Sequence, residues 1–185
     1  MTHAILISTK MAAKNIDAYN RSAICAADVD NGWLVYLDGI YDPSVDGYDE
    51  VFHAKAPASG SLTNLWMAVS PENVLTDSKY LGLDPDVRNF TNSASKVFDV
   101  KYLHPGDQFE ISAQGLTGTA ESAFAVAQAT SGCGKWLWSA APSGSLTSAK
   151  YLATNYISIG TGSAIGSQRV SSYLFEVLYN STVVA

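Results

Sequence analysis

Charge is what this chain has least of. Charged residues make up 15% of it, against roughly 25% in an average globular domain. Its surface must therefore be covered by uncharged polar side chains or by a partner, since depletion of charge is what an assembly interface shows. The charge that is present is mostly negative: 11 Lys and Arg stand against 17 Asp and Glu, for a net −6 and a pI near 4.8. Affinity for nucleic acid comes largely from Lys and Arg neutralising phosphates, so direct nucleic-acid binding is not expected. Long hydrophobic runs are missing as well. The chain is 47% hydrophobic, yet stretches such as Trp33–Leu37 fall far short of the ~18 residues that a membrane-spanning helix needs, and no membrane partner is expected. The apolar patch Ala4–Ile7 has no basic residues before it and no small-residue cleavage site after it. Synthesis in the cytoplasm without a signal peptide is the expectation.

Reactive groups are equally sparse. Cys25 and Cys133 share no CxxC spacing, which excludes the zinc and redox motifs built on that spacing and leaves two reduced, buried thiols. His3, His53 and His104 are scattered without metal-ligand spacing or the context of a general base. Gly160, Gly162 and Gly166 lack the spacing of a dinucleotide fingerprint, and Gly134-Lys135 is followed by Trp136 where a P-loop needs Ser or Thr. No GxSxG elbow is present. The stretch Asp42-Pro43-Ser44-Val45-Asp46-Gly47 opens like a calcium loop, with oxygen side chains at alternate positions and a glycine at the turn. His53 then stands where a bidentate Glu should close the sphere, so Asp42, Asp46 and Glu50 are the only metal candidates and an acidic loop is the simpler reading. No catalytic residue, metal or cofactor is expected.

Strands are what the sequence does contain. Apolar and β-branched residues alternate with polar ones at Ile5–Ser8, Ser22–Ala26, Trp33–Leu37, Glu50–Lys55, Leu65–Val69, Phe98–Tyr102, Gln108–Ser112, Ser122–Gln128, Lys135–Ser139, Tyr156–Ile159 and Ser172–Tyr179. About eleven short strands with no alternation of strand and helix predict an all-β fold, a sandwich or a barrel. Asn31-Gly32 and Pro105-Gly106 supply the residues that tight turns demand and are read as hairpin corners, so that Gly32→Val or Gly106→Val should cost more than ~1 kcal/mol. Ser70-Pro71-Glu72 offers a cap, a first-turn proline and an acid, predicting one short helix over Pro71–Tyr80. Residues 1–185 are read as one domain, with its weakest point at the Gly- and Ser-rich stretch 131–134. The echo between Ala56–Thr63 and Ala141–Thr147 reads as two similar loops. Trp136 and Trp138 share one face of a strand and are the only candidate stacking platform for a sugar, although tryptophans at that spacing are more often core or protein-interface anchors.

Several ordered pieces carry a resemblance: Ala26–Leu37 (AADVDNGWLVYL), Glu50–Pro57 (EVFHAKAP), Leu65–Glu72 (LWMAVSPE), Leu103–Ile111 (LHPGDQFEI) and Leu174–Leu178 (LFEVL). In that order the chain resembles the capsid decoration, or cement, proteins of tailed phages. The segment 115–166 departs from the pattern. The resemblance implies a structural protein on the outer capsid surface of the virion that binds the major capsid protein, reinforces contacts between its subunits and works as a homo-oligomer. It carries over no catalytic residues. The competing expectation is a carbohydrate- or receptor-binding β domain of a phage tail or fibre, using Trp136 and Trp138. A third is a hydrolase whose Asp and Glu converge only in space.

Overall fold

The computed structural model describes residues 3–42, 44, 50–58, 62–72, 87–119, 122–142, 146–159 and 168–180, without the side chains of Thr9 and Gln168. The fold is all-β. Twelve strands form one continuous sheet: β1 (Leu6–Lys10), β2 (Asn20–Cys25), β3 (Leu34–Ile40), β4 (Val51–Lys55), β5 (Trp66–Ala68), β6 (Val97–Tyr102), β7 (Gln108–Ser112), β8 (Leu116–Thr117), β9 (Phe124–Ala129), β10 (Gly134–Ser139), β11 (Ser148–Ile159) and β12 (Gln168–Tyr179). Each predicted run overlaps a strand; only the two-residue β8, too short to show alternation, has no counterpart among them. Helical structure among the described residues is limited to single 3-10 turns such as Ala12–Lys14 and Asp17–Tyr19, and no helix there could cross a membrane. The predicted helix lies outside the described residues beyond Glu72.

Sandwich and barrel were both open from the sequence, and the sheet contains a closed barrel. β3 pairs β4, β4 pairs β2 in parallel, β2 pairs β6, β6 pairs β5, and β5 returns to β3. Alternation then sorts side chains into two cores. Ala23, Cys25, Val35, Ala54, Ala68, Phe98 and Val100 fill the barrel, while Leu34 and Met67, one position away from Val35 and Ala68, face a second and larger core. Around that second core wrap β1-β7-β12-β11-β9-β10, contributing Leu6, Phe109, Ile111, Phe175, Ala149, Ala125 and Trp136. β5 and the first two residues of β3 thus bury both faces, which is why apolar residues run continuously there.

Two expected hairpin corners are turns without hairpins. Gly32 has φ +89° and Gly106 φ +92°, and the His104 carbonyl accepts a hydrogen bond from the Asp107 amide at 3.0 Å, the closure expected of the type II turn. Yet β2 does not pair β3, because β4 inserts between them, and β6 does not pair β7, because the Pro105-Gly106 turn carries the chain from the barrel to the outer sheet. The second turn is anchored by the buried Asp107, whose carboxylate accepts from the amides of His104 and Ala12, each at 2.8 Å. A β carbon at Gly106 meets nothing within 4 Å, whereas one at Gly32 lies 2.5 Å from Ile111 Cδ1. Gly106→Val is therefore expected to cost about 1–2 kcal/mol through backbone strain alone, and Gly32→Val about 2–4 kcal/mol, since crowding of the core is added to the strain. Equal shifts in urea midpoint for the two variants would contradict this ordering.

Residues 131–134 make the β9–β10 turn, closed by the Thr130 amide and hydroxyl on the Cys133 carbonyl at 2.9 and 2.8 Å. Cys25 and Cys133 are both free and buried in the barrel core. Burial pushes the Cys133 thiol above its ordinary range, so any stability linked to its protonation is complete below that range and is lost as pH rises through the shifted value. Alkylation of the folded protein near pH 8 is expected to be more than about tenfold slower than that of the urea-unfolded chain. Mass spectrometry of a time course reads this directly, and equal rates would refute it.

Candidate functional surface

Four charged residues meet at a cleft on the flank of the barrel, about 610 Å³ in volume, lined by Asn20, Arg21, Ser22, Glu50, Phe52, Asp99 and Lys101. Parallel pairing of β2 with β4 and antiparallel pairing of β2 with β6 place Ser22 between Val51 and Asp99. Asp99 and Lys101 project outward because Phe98 and Val100 are buried. The Arg21 guanidinium lies over the Phe52 ring at 5.2 Å, and Lys101 Nζ donates to Asn20 Oδ1 at 2.8 Å. Two cations and two carboxylates around one aromatic ring make a polar contact surface of mixed sign. Glu50, just before β4, and Asp99 on β6 lie on opposite sides of β2, so their backbones are about 10 Å apart across two ladder spacings. Alternation alone indicates that Asp99 and Lys101 face outward, but the cleft depends on the β2–β4 pairing, which leaves no local signal.

The residues singled out from the sequence do not converge. Asp42 accepts from the Ser44 hydroxyl at 2.6 Å and from its amide at 3.0 Å, contacts that hold its carboxyl below the usual range and form a side-chain turn. Glu50 instead lines the cleft, and Asp46 lies outside the described residues. Among the described residues no three His, Cys, Asp or Glu side chains are placed to hold a metal ion. His3 Nδ1 is 2.8 Å from Asp30 Oδ1, His53 meets the edge of Tyr41, and His104 packs between Tyr19 and Tyr102 at 4.2 and 5.1 Å. Calcium is expected to leave the melting midpoint of this protein unchanged; a rise with micromolar affinity would implicate the Asp42 loop.

Trp136 and Trp138 are core residues and offer no sugar platform. Trp136 is 0% exposed, stacks on Phe109 at 5.2 Å and donates its Nε1–H to the Gly32 carbonyl at 3.1 Å. Trp138 is 7% exposed, enclosed by Tyr151, Tyr173 and Phe175. Strand alternation puts both on one face, as expected, and that face is the inner one. The partly exposed aromatics are elsewhere: Tyr19, His104, Tyr102 and Trp66 form a row at one end of the barrel, with Tyr102 and Trp66 5.3 Å apart.

The other prominent feature is the hairpin β11–β12. Its strands pair from Ser148↔Tyr179 to Ile159↔Gln168, but β9 accompanies β11 only over Ser148–Lys150 and β7 accompanies β12 only over Ser172–Glu176. Beyond those limits the ribbon has no further strand partner among the described residues. Tyr156 is 61% and Leu152 40% exposed. The whole of 122–175 contains no Asp or Glu and three cations, Lys135, Lys150 and Arg169, so the acidity of the chain lies almost entirely before it. The chain matches no family model, and neither its sequence nor its structure has a significant match among curated proteins or solved structures.

Proposed function

We propose that this chain is a non-enzymatic structural protein that binds the outer surface of a tailed-phage head and stabilises contacts between capsid subunits. The observation that carries this reading is the β11–β12 ribbon, an extended projection whose only acid is Glu176 near its base, with exposed Tyr156 and Leu152 on an otherwise acidic body. It supports binding through an extended surface, and the low charged fraction and the ordered decoration-protein motifs support the same reading. A contact of roughly standard size, near 800 Å² per partner, gives usable affinity, and an oligomer raises the effective concentration for each further contact. A partner that binds the assembled shell and not free subunits shifts the equilibrium toward assembly. With net charge −6 the protein gains little from packaged DNA, which favours the outer face.

The test mixes purified protein with mature and immature shells that lack it and measures occupancy and the temperature at which the shells break. Saturable binding with raised resistance is expected. Absence of binding to either shell over a range of salt, or labelled protein located inside against the DNA, would overturn the proposal. A carbohydrate- or receptor-binding role is favoured by one observation only, the row Tyr19, His104, Tyr102 and Trp66. Glycan-array binding lost in Tyr19→Ala with folding intact would move the reading to that class.

A further inference from the structure

We infer that the outer edge of β11 over Leu152–Ser158 pairs with the same edge of a second copy of this chain, joining two ribbons antiparallel about a two-fold axis into a four-stranded sheet. The backbone makes the first requirement. Over these seven residues, about 23 Å at ~3.3 Å each, alternate residues turn N–H and C=O away from β12. β9 stops short of them: among the described residues the last backbone hydrogen bond on that side is the Tyr151 amide to the Ala123 carbonyl at 3.0 Å. An edge of this length is a template for another strand unless something guards it.

Nothing in its sequence does. Leu-Ala-Thr-Asn-Tyr-Ile-Ser contains no charge and no proline, none of the seven side chains is buried, and the one irregularity is the register shift at Leu152, at the very start of the segment. β1, at the end of the sheet, shows the contrast: it carries Lys10, and Lys14 Nζ donates to the Ser8 carbonyl.

The same features select a second copy as the occupant. An antiparallel edge is complementary to itself, and a two-fold near Asn155 pairs the whole segment, with Thr154 opposite the partner's Tyr156. Two molecules of charge −6 repel on average, but the one acid that reaches the segment, Glu110, is buried and accepts from Asn155 Nδ2 at 3.2 Å, and the nearest charges on the ribbon itself are Lys150 and Arg169, outside the paired segment. The ribbon is thus the part of the molecule where two copies approach with the least opposition from the net charge. Pairing also relieves a weakness of the fold beyond Asn155, where β12 has left β7 and only two strands remain, because a two-stranded ribbon alone is marginally stable in water and four strands are not.

This inference deepens the oligomer in the proposed function, yet it is tested in solution without any shell, so either can fail alone. Sedimentation velocity of the full chain is expected to show a concentration-dependent dimer. Leu152→Glu with Tyr156→Glu places like charges in the new sheet at positions exposed in the monomer, and should raise the dissociation constant by about tenfold or more without altering circular dichroism or melting midpoint. Mixing that variant with Leu152→Lys/Tyr156→Lys should restore association as a heterodimer. A wild-type chain that stays monomeric at its highest soluble concentration overturns the inference. So does a Glu variant that dimerises normally, or a loss of dimer that mixing fails to restore.

Discussion

Asn180→Ala is expected to lower stability by about 4–6 kcal/mol, the largest effect of any single polar substitution in the described chain. Asn180 lies just after β12 and is 2% exposed. Its Oδ1 accepts from the Leu65 amide at 2.8 Å and from the Thr147 hydroxyl at 2.7 Å, and its Nδ2 donates to the carbonyls of Leu65 and Leu103 at 2.9 and 2.8 Å. Leu65, Leu103 and Thr147 are all 0% exposed. Truncation leaves four buried groups without this partner, at about 1–3 kcal/mol each, moderated where a water can enter the space left behind. Because Leu65 leads into β5 and Leu103 follows β6, this one amide ties the barrel to the end of the outer sheet. For a chain of this size the loss corresponds to a fall of roughly 10–20 °C in melting midpoint. Asn180→Asp keeps both acceptor contacts and loses both donor contacts, and is expected to remain strongly destabilised at neutral pH. A loss below about 1 kcal/mol in Asn180→Ala, measured by urea unfolding, would show that the clamp does not hold the two parts together.

Trp136→Ala is expected to cost about 4 kcal/mol or more. The residue is the largest of the fully buried side chains and stands on β10, which pairs β9, β8 and, at Gly134, the barrel strand β3. Removing it opens a cavity beside Phe109 and Phe175, in the range of about 3–5 kcal/mol for a buried aromatic, and strips the Gly32 carbonyl of its indole donor. Trp136→Phe should retain most of the packing and lose the hydrogen bond, costing about 1–2 kcal/mol. Thermal unfolding of the two variants separates the terms, and near-equal losses would mean that the hydrogen bond, not the ring volume, dominates. Loss of glycan binding in Trp136→Ala would therefore report unfolding rather than a missing sugar contact, which is why Tyr19 is the more informative probe of that alternative.

The eleven predicted runs and the twelve strands agree closely because alternation and turn chemistry are local. Phe98 and Val100 on one side of β6 with Asp99 and Lys101 on the other are decided by the pleat of that strand alone. Agreement fails where residues such as Thr154 and Asn155 interrupt the pattern: β11 and β12 each run for twelve residues, well beyond Tyr156–Ile159 and Ser172–Tyr179. There each strand is held by its partner in the ladder rather than by a buried face of its own. The candidate surface was less legible still. Arg21, Phe52, Asp99 and Lys101 are 80 residues apart at the extremes, and no spacing within the chain marks them as neighbours.

By itself, then, the sequence determined the all-β class, the positions of most strands and the left-handed turns at Gly32 and Gly106, since each follows from the conformational preferences of a few adjacent residues. The tertiary structure alone decided which strands pair, that β4 enters parallel to β2 and closes a barrel, and that the face shared by Trp136 and Trp138 points inward. It also decided that β11 outruns β9, so that its edge beyond Tyr151 has no strand partner among the described residues. The physical reason is that ladder hydrogen bonds are chemically alike at every strand, so pairing and facing are settled by how the apolar faces of distant segments fit together, a sum over the whole core that no local pattern contains.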